Sequence, residues 1–328
     1  MGASVPRRAL RFITTAFLLA FLVWTCAYIV HHWRDFAVLT EVPAYLTGGL
    51  FLAFGGIIVT SALFTKVALE LHGKHLGNDE SLALTVLSSL ANYFVPLKTG
   101  AGLRVLYLMK YRHITLPELA AVFLIYGFMQ AFLNGLLGAT GMMLAAKQAG
   151  AWNSVVFGFF VAAMLIGLGG LSSTAEYFVR KLGVARRRLS AWTECWAAVR
   201  QHPRQHVLLW AVSAAFCAAT FMQSVVAFAA VKIAVPSGGV LVFTASKNLA
   251  ALAGLTPGAI GIQEAIAIYL GRDLDYTTTQ ALLVQLLVRG TAIAGLAAAA
   301  PFAGWLIRAS IRRHSEAAQR AGGSHAGA

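Results

Sequence analysis

Apolar residues in this chain neither alternate nor recur on one face. They run unbroken. Six stretches are long enough to cross a bilayer as helices: 12–30, 45–69, 119–145, 152–172, 207–231 and 278–307. About 20 apolar residues at 1.5 Å rise span a hydrocarbon core of roughly 30 Å. The first run is too long for the apolar region of a secretory leader, and no A-x-A site follows it, so it reads as a retained span.

Two further apolar segments, 81–109 and 239–270, are interrupted by "PLKTGAG" and "LTPGAIG". Pro96 and Pro257 each remove a backbone donor and clash with the preceding turn. Gly100 and Gly102, and Gly258 and Gly261, follow at once and permit a sharp reversal. Each segment therefore reads as a re-entrant hairpin of two short helical legs. Such backbone survives at membrane depth only when buried in protein or lining a wet cavity.

The order is span, span, hairpin, span, repeated. The predicted fold is an all-α polytopic membrane protein. It has six full transmembrane helices and two re-entrant helical hairpins in an inverted-topology repeat, an arrangement many transporters share. Along the chain, 1–172 forms a first membrane repeat and 173–206 a basic cytoplasmic linker. Residues 207–308 form a second membrane repeat, and 309–328 a basic cytoplasmic tail.

Composition agrees: 59% of residues are hydrophobic, only 12% are charged, and the mean hydropathy is +0.72. The formal net charge of +14 invites a nucleic-acid reading, which position opposes. The basic residues flank apolar runs, concentrated on one side as on cytoplasmic loops. With the N-terminus inside, the outer flanks hold only Arg34, Lys147, Lys232 and Arg272. Counting 81–109 as a single crossing would put the arginine-rich 180–204 loop outside. This predicts a multi-pass protein of the cell inner membrane with both termini cytoplasmic.

The hairpins hold nearly all the ionisable residues at membrane depth. These are Lys98 and Arg104 in the first, and Lys247 and Glu264 in the second. Arg289 lies in the last span, with Gln285 one turn before it. A basic residue at the bilayer centre costs about 2.5–3.5 kcal/mol, so these side chains should face a shared interior. Only one cation can pair with Glu264, which leaves a positive surplus suited to an anion such as phosphate. The plainer alternative is a structural ion pair of Glu264 with Arg104 or Arg289. Asn92 and Asn248 complete the predicted substrate-binding set.

Cys26, Cys195 and Cys217 lie apart and suggest neither a disulfide framework nor a metal site. His72 and His75, and His202 and His206, lack acidic or cysteine partners. No metal or cofactor is expected, and no catalytic motif is found.

"NYFVPLKTGAGLR", "LTPGAIGIQEA" and "LLVQLLVRG" together resemble the flippase-like family of the lysylphosphatidylglycerol synthase transmembrane region. Asn92, Pro96, Gly100, Gly102, Arg104, Pro257, Gly258, Gly261, Glu264 and Arg289 fall on its motif positions. Ala259 stands where the family commonly has a second glycine. "FLIYGFMQAF" lacks the Glu-Arg pair that often follows the first motif. The chain ends about twenty residues after its last span, without the soluble domain of a lysyl-transferring synthase. The resemblance thus implies lipid handling rather than aminoacyl transfer. The expected function is transport of an anionic-headgroup lipid between leaflets, either a phospholipid or a polyprenyl-phosphate-linked glycan. The alternative is a membrane subunit that presents lipid to a separate glycosyl- or acyltransferase. Membrane lipids are the expected partners, with a cell-envelope glycosyltransferase or lipid-modifying enzyme as a further one.

Overall fold

The computed structural model describes residues 39, 41–94, 99–172, 201–253, 259, 261–274 and 276–323. The predicted 12–30 span, residues 173–200 of the basic linker, and Pro96, Lys98, Pro257 and Gly258 lie outside the described residues. So do Cys26, Cys195 and residues 324–328 of the tail.

The described residues form helices and no strand. In chain order these are α1 (Ala44–Glu70), α2 (Asn78–Phe94), α3 (Thr99–Arg112), α4 (Leu116–Ala149) and α5 (Ser154–Leu171). There follow α6 (Pro203–Ala230), α7 (Ser237–Ala253), α8 (Ile262–Leu274) and α9 (Thr278–Gly323). Five of them, α1, α4, α5, α6 and α9, are long and apolar enough to cross a membrane. They match the five predicted runs that fall within the described residues. The helix α9 runs past the predicted span end at 307, through Pro301 and on to Gly323.

Local chemistry sets several helix ends. Thr115 and Glu118 form a capping box at the start of α4, with Pro117 in the first turn. Gly150 closes α4 in the left-handed conformation at φ 67°. Three residues later the Asn153 side chain accepts from the Val155 and Val156 amides and opens α5. The helices α4 and α5 then pack closely along small residues. A Cβ on Gly135 would lie 2.7 Å from the Phe160 carbonyl, so only glycine permits that approach.

The distribution of polarity is that of a protein solvated by lipid. Leu52, Val155, Phe159 and Ile166 are exposed, whereas Gln130, Asn134, Ser224 and Gln285 are at most 1% exposed. Exposed apolar surface on this scale marks a membrane-facing or partner-facing protein. The central core joins both halves of the chain, with Leu50, Met142 and Phe160 of the first in one cluster with Phe228, Phe243 and Tyr276 of the second.

The short helices pair as α2 with α3 and α7 with α8. Their packing is exchanged between the halves. The leg α2 lies on α9, and α7 lies on α4, while α1 packs against α6. The connections sort to two ends. At one, Gln148 Nε2 donates to Ser237 Oγ at 3.0 Å and Asn153 Nδ2 donates to Asp273 Oδ2 at 2.7 Å. At the other, Lys66 Nζ donates to Asn78 Oδ1 at 2.8 Å beside the α1–α2 link.

Two predicted turn glycines are corrected. The helix α3 begins at Thr99, so Gly100 and Gly102 are helical residues rather than turn residues. The two have different roles. A Cβ on Gly100 would collide with the Ser88 carbonyl of α2, whereas one on Gly102 would meet nothing. In the second pair the leg α8 starts at Ile262. Gly261 precedes it with φ +86°, a conformation glycine adopts without penalty.

Candidate functional site

At the start of the second leg of each short-helix pair a motif side chain accepts a glycine N–H. Asn92 Oδ1, near the end of α2, accepts from the Gly100 amide at 2.9 Å. Glu264 Oε2, in the first turn of α8, accepts from the Gly261 amide at 2.7 Å. Both contacts satisfy a helix-start donor that would otherwise be unpaired.

The remaining predicted residues separate into two groups. Arg104 lies between α3, α1 and α2. Its Nη1 donates to Thr65 Oγ1 at 3.0 Å, and its Nη2 donates to Ser88 Oγ at 2.8 Å and Thr85 Oγ1 at 3.4 Å. No carboxylate touches it among the described residues. Three hydroxyls orient the guanidinium without neutralising it, and its Nε has no partner.

The second group sits on α7, α8 and α9. Arg289 Nε lies 2.7 Å from Glu264 Oε1, off the axis of a hydrogen bond. Arg289 Nη2 donates to Gln263 Oε1 at 3.2 Å. Lys247, 7% exposed, donates weakly to Gln223 Oε1 at 3.4 Å. It is close enough to Arg289 for the two cations to repel. Gln285 is buried at 1% exposure with both amide atoms unpartnered.

Asn248 bridges elements, donating to Asn134 Oδ1 at 2.9 Å and to Thr220 Oγ1 at 3.0 Å. Asn134 Nδ2 in turn donates to Gln130 Oε1 at 3.0 Å. This amide network joins α4, α6 and α7. Its Gln130 lies within "FLIYGFMQAF".

A cavity of about 1000 Å³ lies against the first group. Its polar wall includes Thr65, Ser88, Asn92, Arg104, Gln130 and Asn248. The rest of its wall is largely apolar and aromatic, with Phe123, Phe128, Phe159 and Phe216. Leu124, Phe159 and Ile166 belong both to the lining and to the exposed apolar surface, so the apolar wall reaches the face turned to lipid. Lys247, Glu264, Gln285 and Arg289 are not among the lining residues. The structure thus brings Asn92, Arg104 and Asn248 to the cavity. It gathers the other four in a separate buried cluster.

Sequence reasoning missed the neutral members, Gln130, Asn134, Thr220 and Gln223. It also missed Glu80, which is 5% exposed at the start of α2. Glu80 accepts from Arg112 Nε at 2.9 Å and from the Tyr107 hydroxyl at 2.7 Å, and it pairs with Arg112 Nη2. That cluster clamps the outer ends of α2 and α3 together. Polar residues recurring four apart inside an apolar run, as Gln130 and Asn134 do, were the available signal.

No group of three or more histidine, cysteine, aspartate or glutamate side chains that could hold a metal occurs among the described residues. His206 Nε2 accepts from Trp210 Nε1 at 2.9 Å.

The family model described as the lysylphosphatidylglycerol synthase TM region matches residues 8–300. No curated protein and no solved structure matches the chain significantly.

Proposed function

This chain belongs to the lysylphosphatidylglycerol synthase TM-region family, and from that premise we propose that it carries an anionic-headgroup lipid between leaflets. The family match and the lipid-exposed helices make it a multi-pass membrane protein with a lipid-related role. The observation that carries the finer reading is Arg104. A guanidinium held by three hydroxyls and no acid, in a cavity with an apolar wall open to lipid, is arranged to meet an anion on an amphiphile. The head would rest against the polar wall while the tails stay among the phenylalanines.

The exchanged packing of the two short-helix pairs supports their reading as re-entrant hairpins of an inverted repeat. Rocking of one half against the other would then present the head to either side. The basic flanks favour an inner-membrane orientation with cytoplasmic termini. The buried Glu264–Arg289 pair would anchor the second hairpin, with Lys247 adding positive potential behind the cavity. The chain acts in this reading as a carrier rather than a catalyst.

The purified chain in liposomes tests this. It should move a fluorescent phosphatidylglycerol between leaflets, and Arg104→Gln should slow that movement by about tenfold or more, the value of one charge-assisted hydrogen bond. A chain that moves no lipid alone, yet restores product when a separate transferase is added, would overturn the carrier reading in favour of substrate presentation.

A further inference from the structure

The cavity is one-signed. Among its described lining residues Arg104 is the single cation, and no carboxylate is present. The buried carboxylates elsewhere are already engaged. Glu264 is held by Arg289 and the Gly261 amide, and Glu80 by Arg112 and Tyr107.

Hydrogen bonding in the cavity is unbalanced in the same direction. Gln130 is 1% exposed. Its Oε1 accepts from Asn134 Nδ2 at 3.0 Å and from Cys217 Sγ at 3.6 Å, which fixes the orientation of the amide. Its Nε2 is left without a partner, as is Arg104 Nε. Both unmet groups are donors, and a buried unmet donor is costly until an acceptor reaches it. The Ser88 hydroxyl already donates to the Thr85 carbonyl at 3.1 Å, whereas the Ser89 hydroxyl on the same lining can both give and accept.

We propose that this cavity selects lipids with one phosphate-type charge and an uncharged, hydroxylated remainder, such as glycerol or a sugar, and rejects headgroups bearing an ammonium. This rests on the reading of the cavity as the headgroup site. A phosphodiester supplies acceptor oxygens to both unmet donors and one negative charge to one guanidinium. A hydroxylated remainder exchanges hydrogen bonds with Ser89. An ammonium brings three more donors and a second positive charge beside Arg104, with no carboxylate to receive them. Lysyl esters of phosphatidylglycerol are therefore excluded along with phosphatidylethanolamine.

Native mass spectrometry of the purified full chain reads the selectivity directly. Phosphatidylglycerol, its lysyl ester and phosphatidylethanolamine are offered at equal concentration. Phosphatidylglycerol should be retained about tenfold over either amine-bearing lipid. Gln130→Glu adds a carboxylate with little change in shape and should shift the ratio towards the lysyl ester by about tenfold. That gain of binding cannot arise from misfolding. Equal retention of phosphatidylglycerol and its lysyl ester by the unaltered chain overturns the selectivity and leaves lipid carriage standing. An unchanged ratio in Gln130→Glu overturns the assignment of Gln130 to the headgroup wall. Displacement of phosphatidylglycerol by an equal concentration of glycerol phosphate overturns the choice of a lipid over a soluble phosphate. Retention of no lipid at all overturns both this proposal and the carrier reading.

Discussion

Arg289 reaches across from α9 to within 2.7 Å of the Glu264 carboxylate, whose other oxygen accepts from the Gly261 amide. One side chain thereby fixes the break before α8 and ties that helix to the last span. Removing one partner of a buried pair leaves an uncompensated charge, at a cost of about 3–5 kcal/mol. Glu264→Ala and Arg289→Ala should each lower the thermal unfolding temperature sharply. The double variant should recover much of the loss. A loss in the double variant equal to the sum of the two single losses would show that the two residues act independently.

Topology is testable by cysteine labelling. The links near Lys147, Ser237 and Asp273 converge at one end of the molecule. Cysteines placed there, and near Asp35, should react with an impermeant reagent added from outside. A cysteine at Arg187 or in the C-terminal tail should not. External labelling at position 187 would refute the inverted repeat and both hairpins with it.

Ala259 occupies φ +54° and is 4% exposed. The left-handed region costs an L-residue about 1–2 kcal/mol relative to its normal conformation, and the family commonly places glycine here. Ala259→Gly should therefore raise the unfolding temperature while leaving lipid movement intact. A lower unfolding temperature would mean that the buried methyl contributes more than the backbone strain costs.

Acid should weaken the α1–α2 link. Burial holds the His72 pKa below its ordinary value of 6.5, helped by Lys74 and opposed by Glu118. The folded form then binds fewer protons than the unfolded form. His72 contributes stability that is complete above pH 6.5 and lost as pH falls through its depressed value. His72→Gln should flatten the acid side of a thermal-stability profile. An unaltered profile would show that other groups govern that limb.

The five described spans were legible because run length alone identifies a helix that crosses a membrane. The division of each interrupted run into two short helices was legible for a related reason, since proline and glycine inside an apolar run demand an explanation. The roles of individual glycines were less readable. Gly100 signals close approach to Ser88 and Gly261 signals a positive φ, yet both appear in the sequence as the same letter after a proline. The division of the ionisable residues into two clusters could not be read at all. It depends on which helices pack together, and Arg104 and Glu264 end on different interfaces. Gln130 and Asn134 escaped notice because they carry no charge and the run around them stays apolar enough to cross a membrane. Glu80 and Arg112 stand 32 positions apart, and no local pattern links them.

The exchanged packing of α2 and α9 imposes an order on biosynthesis. The helix α2 is complete at residue 94, but the span that covers it begins only at residue 278. At about 5–20 residues per second the ribosome needs roughly 10–40 s to make the intervening chain. Throughout that interval Ser88 and Asn92 already have their partners on α3, but the face of α2 that packs on α9 is uncovered. Its partner surface does not yet exist. Docking of α2 into its final packing therefore comes last, after the whole of the second half has been made.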